Sequence, residues 1–120
     1  MPGRIVTLVP DLLIEVRIDE AARRIDADVE ALSSDVYLET ALSKPTDVLI
    51  VDLGVDGLDL DAIAATAKAR RVPVVAFGPH VDAERLQAAG DAGMGSVYPR
   101  SAFVKGIRRI LSEVIVTDQS

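Results

Sequence analysis

The stretch Thr46-Asp47-Val48-Leu49-Ile50-Val51-Asp52-Leu53-Gly54 decides the reading of this chain. At its centre four apolar residues run without a break, Val48 to Val51, and a carboxylate stands on either side. A short unbroken apolar run of this kind, rich in β-branched residues, suits a strand buried on both faces in the middle of a parallel sheet. Asp52 then lies at the carboxyl edge of that strand, where open α/β sheets gather their chemistry.

Upstream of this strand, residues 4–9 read as a buried first strand that Pro10 and Asp11 end. The pattern then turns helical. Ile14, Ile18, Ala21 and Ile25 recur at four, three and four residues, which makes one apolar stripe. Asp11 is placed to cap that helix, and Asp19/Arg23 and Glu20/Arg24 are spaced to pair along its exposed side. Residues 27–32 alternate as a half-exposed edge strand. Ser33-Ser34-Asp35 opens a short helix to about Leu42, and Pro45 stops it.

Downstream, a short loop from Leu53 to Gly57 leads into a helix over 59–70, with Leu60, Ile63, Ala64 and Ala67 facing inward. Residues 72–77 form a fourth strand, with Pro73 near its start, where a strand tolerates one. Gly78-Pro79-His80 breaks the chain before a fourth helix over 81–89, closed by Gly90 and Gly93 as residues suited to positive φ. A short fifth strand covers 96–98. Ser101 is placed to cap a last helix whose stripe is Phe103, Ile107, Ile110 and Val114. The polar tail, 116–120, is expected to fray.

Five strands alternating with five helices imply a parallel sheet with helices on both faces and right-handed crossovers. At 120 residues this is one domain, 1–120, and the flavodoxin-like three-layer α/β sandwich with strand order 2-1-3-4-5 is the natural solution. Hydrophobic residues make up 49% and aromatics 3%, so the core is aliphatic. The net charge of −6 disfavours nucleic acid, whose phosphates would repel it. There is no cysteine, which excludes disulfides and thiolate metal sites. The first apolar run is too short for a signal-peptide core or a membrane span, so a cytoplasmic protein is expected. With no cysteine and one histidine, most of the usual nucleophile systems are excluded and an enzyme is not expected.

With these elements in place, the chain resembles the receiver domain of response regulators, the phospho-accepting module of two-component signalling. The buried strand ending in Asp52, the segment Val72-Pro73-Val74-Val75-Ala76-Phe77, and Ala88-Ala89-Gly90-Asp91-Ala92-Gly93 before the fifth strand carry the likeness, which extends over nearly the whole chain. The resemblance implies a phosphate acceptor at Asp52. It also implies an acidic pair after the first strand that helps bind Mg²⁺, a hydroxyl ending strand four, a Lys ending strand five, and an aromatic switch residue in strand five.

The match is partial. Asp52 takes the acceptor position and Asp11 the second acidic position, but Pro10 stands where the first acid belongs. Gly78 replaces the hydroxyl residue, Arg100 the lysine and Val97 the aromatic, with Tyr98 one residue later on the opposite face. A guanidinium is planar and bulkier than an ammonium and is not a direct substitute. The loop after Asp52 is also shorter than is usual for the family. Asp11 and Asp52 are left as the only carboxylates to hold Mg²⁺, so metal binding is expected to be weak.

The resemblance thus implies a stand-alone, pseudo-receiver-like signalling or interaction module whose phosphotransfer has degenerated, with a histidine kinase or output protein as partner. Receivers also dimerise through the face of helix four, strand five and helix five. There Arg100, Lys105, Arg108 and Arg109 make the last helix locally basic, and with Tyr98 this face suits an acidic partner or a second copy. Two alternatives stay open. One is a single-domain response regulator that is phosphorylated at Asp52. The other is a small-molecule binder using the same strand-edge crevice, as flavodoxins do. His80, the sole histidine, lies on the same edge.

Overall fold

The computed structural model describes residues 3–115. The expected fraying of 116–120 lies outside the described residues. Five parallel strands, β1 (Gly3–Leu8), β2 (Ala27–Ala31), β3 (Val48–Asp52), β4 (Val74–Gly78) and β5 (Ser96–Pro99), form one sheet in the order β2-β1-β3-β4-β5. This is the order that the alternation of elements implies. The helices are α1 (Leu12–Arg24), α2 (Leu38–Leu42), α3 (Leu60–Ala69), α4 (Ala83–Asp91) and α5 (Arg100–Val114), with a 3-10 turn at Asp35–Tyr37 before α2.

All five residues of β3 are buried, and so are all five of β4, as the centre of a sheet covered on both faces requires. Side chains of alternate residues divide between two cores. Ile5, Val48, Ile50, Val75 and Phe77 pack under α1 and α5, while Val6, Leu49, Val51, Val74 and Ala76 pack under α2, α3 and α4. In the first core Phe77 and Phe103 stack, with ring centroids 4.4 Å apart and planes 5° from parallel. That stack seats α5 on β4, and Phe77 is in register with Asp52 on one side and Tyr98 on the other.

The helix boundaries refine the sequence reading at three places. Helix α4 starts at Ala83, because Asp82 caps it by accepting from the Arg85 N–H at 3.1 Å. Gly90 lies inside α4, and of the two glycines Gly93 alone takes positive φ, at 89°. The Met94 and Gly93 N–H groups close the helix end on the Ala89 and Gly90 carbonyls, a Schellman arrangement sealed by buried Met94 and Ala89. Ser101 is not a cap: α5 begins at Arg100, and Pro99 precedes it with no side-chain hydrogen bond. Proline there needs no donor and holds its φ at −58°, so the helix starts earlier than the serine signal indicates. The pairs Asp19/Arg23 and Glu20/Arg24 are not among the ion pairs of the described residues.

Candidate functional site

Asp52 ends β3 with its side chain only 5% exposed. Its Oδ1 accepts the Gly54 N–H at 2.8 Å, which folds the start of the β3–α3 loop back over the carboxylate. Its Oδ2 lies 4.0 Å from Nη1 of Arg100, the first residue of α5. The other arm of the same guanidinium, Nη2, bonds Oδ2 of Asp11. One arginine therefore spans the two carboxylates at the carboxyl edge of β1 and β3.

Each member arrives by local rules. Asp11 is the N-cap of α1, and its Oδ1 accepts from the Leu13 and Ile14 N–H groups at 2.9 and 3.3 Å. The Ile14 N–H is the main cause that holds its carboxyl below the ordinary value of 3.8, with Leu13 and Arg100 adding to it and partial desolvation opposing. Arg100 and Phe103 are three apart and share a helix face, so the stack on Phe77 delivers the guanidinium to Asp52.

Gly78 is buried at the end of β4. A Cβ there would lie 3.2 Å from Leu53 Cβ and 3.4 Å from Leu86 Cδ2. A side chain there would be tight against the two leucines, which would have to give by a few tenths of an ångström. Pro10 is exposed and presents no ligand. Val97 packs among the partly buried residues on the α2–α3–α4 side and Tyr98 on the α1–α5 side, which is the opposition of faces that their adjacency requires. No group of three or more His, Asp or Glu among the described residues is arranged to hold a metal ion. His80 is exposed and lines an open hollow of about 490 Å³ with Pro79, Val81, Arg100 and Lys105, apart from the two carboxylates.

Two features were not read from the sequence. Arg85 of α4 reaches the loop after Asp52, donating from Nε to the Leu53 carbonyl at 2.6 Å and from Nη2 to the Val55 carbonyl at 3.0 Å. Beside that loop, a cavity of about 510 Å³ opens between the carboxyl ends of β1, β2 and β3. Leu8, Pro10, Leu32 and Leu58 give it apolar walls, and Asp35 and Asp56 lie at its rim. The Ser33-Ser34-Asp35 and Asp56-Gly57 turns were the available sequence signal for it.

The geometry matches known structures over almost its full length. A response regulator from Hahella chejuensis superposes with a TM-score of 0.81 over 98% of both chains at 18% identity. This is the receiver-domain fold. A response regulator from Thermotoga maritima matches at 0.78 over 98% of this chain and 100% of that one, at 13% identity. The receiver domain of a sensor histidine kinase from Pseudomonas aeruginosa PAO1, with magnesium coordinated in its active-site cleft, matches at 0.75 over 95% and 98%, at 17% identity. No family model matches the sequence, and no curated protein does. At these identities the likeness is one of fold. Among the described residues no helix is long and apolar enough to cross a membrane.

Proposed function

We propose that this chain is a receiver-like signalling module of two-component type that works through protein contacts and no longer depends on phosphotransfer at Asp52. The observation that carries this reading is the Arg100 bridge between Asp11 and Asp52. A receiver site needs a divalent cation to neutralise the incoming phosphoryl oxygens, held by carboxylates and water. Here the Arg100 guanidinium, bonded to Asp11 and 4.0 Å from Asp52, stands between the two carboxylates of the site. A Mg²⁺ ion would have to displace a bonded cation and would find one acid fewer, because Pro10 offers none. The residues present do not fit a resident magnesium ion. Packing at Gly78 points the same way, since this residue brings no hydroxyl and Leu53 and Leu86 crowd the space beside it.

Under this reading the Asp11–Arg100–Asp52 group acts as a structural clasp that ties α1, α5 and β3 into one fixed arrangement. Signalling would then follow the amount or the partner of the protein rather than its phosphorylation. Incubation with Mg²⁺ and acetyl phosphate, followed by intact-mass measurement, tests this. No mass gain is expected. A gain of one phosphoryl group that disappears in Asp52→Asn would make the protein a single-domain response regulator instead.

The cavity beside the β3–α3 loop favours a second reading, a module that binds a small molecule. It lies at the β1/β3 switch point, where open α/β sheets bind ligands, and its volume is in the usual range for such sites. Asp35 and Asp56 at the rim, with no basic residue in the lining, disfavour a phosphate-bearing cofactor there. Native mass spectrometry of the purified protein separates the two: a stoichiometric bound compound favours the second reading.

A further inference from the structure

Arg17 and Arg24 lie seven residues apart, two turns along one side of α1. Lys105 and Arg108 lie one turn apart on α5. The two helices bring these four cations to the rims of a single groove of about 230 Å³, in which Glu20 is the only carboxylate. None of the four cations is in an ion pair among the described residues. The neighbouring Arg109, by contrast, is paired with Glu113. Ala21, Val104 and Ile107 make the floor apolar.

On a chain of net charge −6, this is a local reversal of sign. Like charges gathered on adjacent helix faces repel one another; the α1 dipole favours Arg24 in the last turn, but gives no such reason for Arg17, Lys105 or Arg108. The acidic remainder of the surface does not cancel the patch for a docked ligand, because exposed charges farther than about 8 Å are screened at physiological salt. The groove is smaller than a typical small-molecule pocket, whose volume starts at roughly 300 Å³. Its form, an apolar floor between two cationic rims, suits a polypeptide that lays an apolar side chain on the floor and sets carboxylates against both rims.

We infer that the α1–α5 groove is a docking site for an acidic, amphipathic peptide segment of a partner protein. The inference rests on the reading of the chain as a protein-interaction module and names the face and the chemistry of the partner. It moves the contact from the face of α4, β5 and α5 to the face of α1 and α5. Arginine suits such a role because its planar fork meets a carboxylate in two parallel bonds.

The test uses a synthetic peptide built of Glu and Leu in an amphipathic pattern, its Lys-for-Glu counterpart, and tripolyphosphate. Each is titrated into the ¹⁵N-labelled protein. The acidic peptide is expected to bind, to shift the amides of residues 17–24 and 104–108, and to lose at least tenfold in affinity in the double variant R17E/K105E. Replacing its leucines with serine should weaken it as well, and the Lys peptide should not bind. Three results would overturn the inference: no binding of the acidic peptide, shifts that map to another face, or tripolyphosphate binding in the groove where the peptide does not. Phosphorylation of Asp52 would sink the proposed function and leave this groove untouched, so the two failures are distinguishable.

Discussion

Arg100 bonds Asp11 with one arm of its guanidinium while the other stands 4.0 Å from Asp52, the buried carboxylate that ends β3. The arginine is only half-buried, at 38% side-chain exposure, so its pairing contributes position more than stability. What it fixes is the relation of three segments: the start of α1, the end of β3 and the start of α5.

Asp52→Asn should fold normally. Asn keeps an Oδ1 that accepts the Gly54 N–H, and removing a buried charge offsets the lost attraction to Arg100. Urea unfolding is expected to give a change within about 1 kcal/mol of the parent, whereas Asp52→Ala, which leaves the Gly54 N–H without its acceptor, should cost about 1 kcal/mol more. A large loss in Asp52→Asn would show that the charge itself is structural.

Gly78→Thr should not rebuild a receiver site. Its side chain would press on Leu53 and Leu86, and overpacking of this kind costs about 1–3 kcal/mol. Thermal melting should fall, with no phosphorylation gained. A variant as stable as the parent would show that the two leucines yield easily.

Arg85→Ala should loosen the loop that follows Asp52. Two carbonyls lose a charged donor, and a stability loss of about 1–2 kcal/mol is expected. Amide hydrogen exchange should speed up in the segment 53–57 while β3 itself stays protected. Unchanged exchange there would mean that the arginine only rests on the loop.

Two carboxyls pull the acid stability curve in opposite directions. Asp11 has its folded pKa depressed, chiefly by the Ile14 N–H, so its contribution is present above the ordinary value of 3.8 and is lost as pH falls through the lower folded value. Burial raises Glu15 above its ordinary 4.5, against the hydrogen bond from buried Thr7 at 3.0 Å. Its contribution is therefore fully present below 4.5 and is lost as pH rises through the folded value. Glu15→Gln should remove that second loss and flatten the curve just above pH 4.5, as read from urea midpoints against pH. Asp11→Asn should flatten the curve below pH 3.8.

Much of the fold was legible because burial writes itself as pattern. The run Val48 to Val51 gave the central strand, and the stripe Ile14, Ile18, Ala21 gave the buried side of α1. Asp11 was readable as a cap because an N-cap is a local signal. The start of α5 was misread because Ser101 has the chemistry of a cap while Pro99 and Arg100 set the backbone. The candidate site was legible in part: pattern placed Asp52 at a strand end and Asp11 at a helix start, and the resemblance to receivers placed Arg100 on the same edge. That Arg100 reaches both carboxylates depends on how α5 docks through Phe77 and Phe103, a long-range packing relation with no local signature. Arg85 was missed for the same reason, since its partners are backbone carbonyls some thirty residues away. The basic groove was half visible. Lys105 and Arg108 were noted on α5, but the seven-residue spacing of Arg17 and Arg24 gains meaning only when α1 lies beside α5.

On the function proposed above, the Arg100 guanidinium holds the place of the metal ion. A titration of Mg²⁺ into the parent protein and into Arg100→Ala, followed through the amide signals of Leu13, Leu53 and Gly54, tests it most directly. The parent should show no saturable shift at millimolar Mg²⁺, whereas Arg100→Ala, in which two carboxylates lose their cation, should show one. Binding of Mg²⁺ by the parent as tightly as by Arg100→Ala, or more tightly, would contradict it.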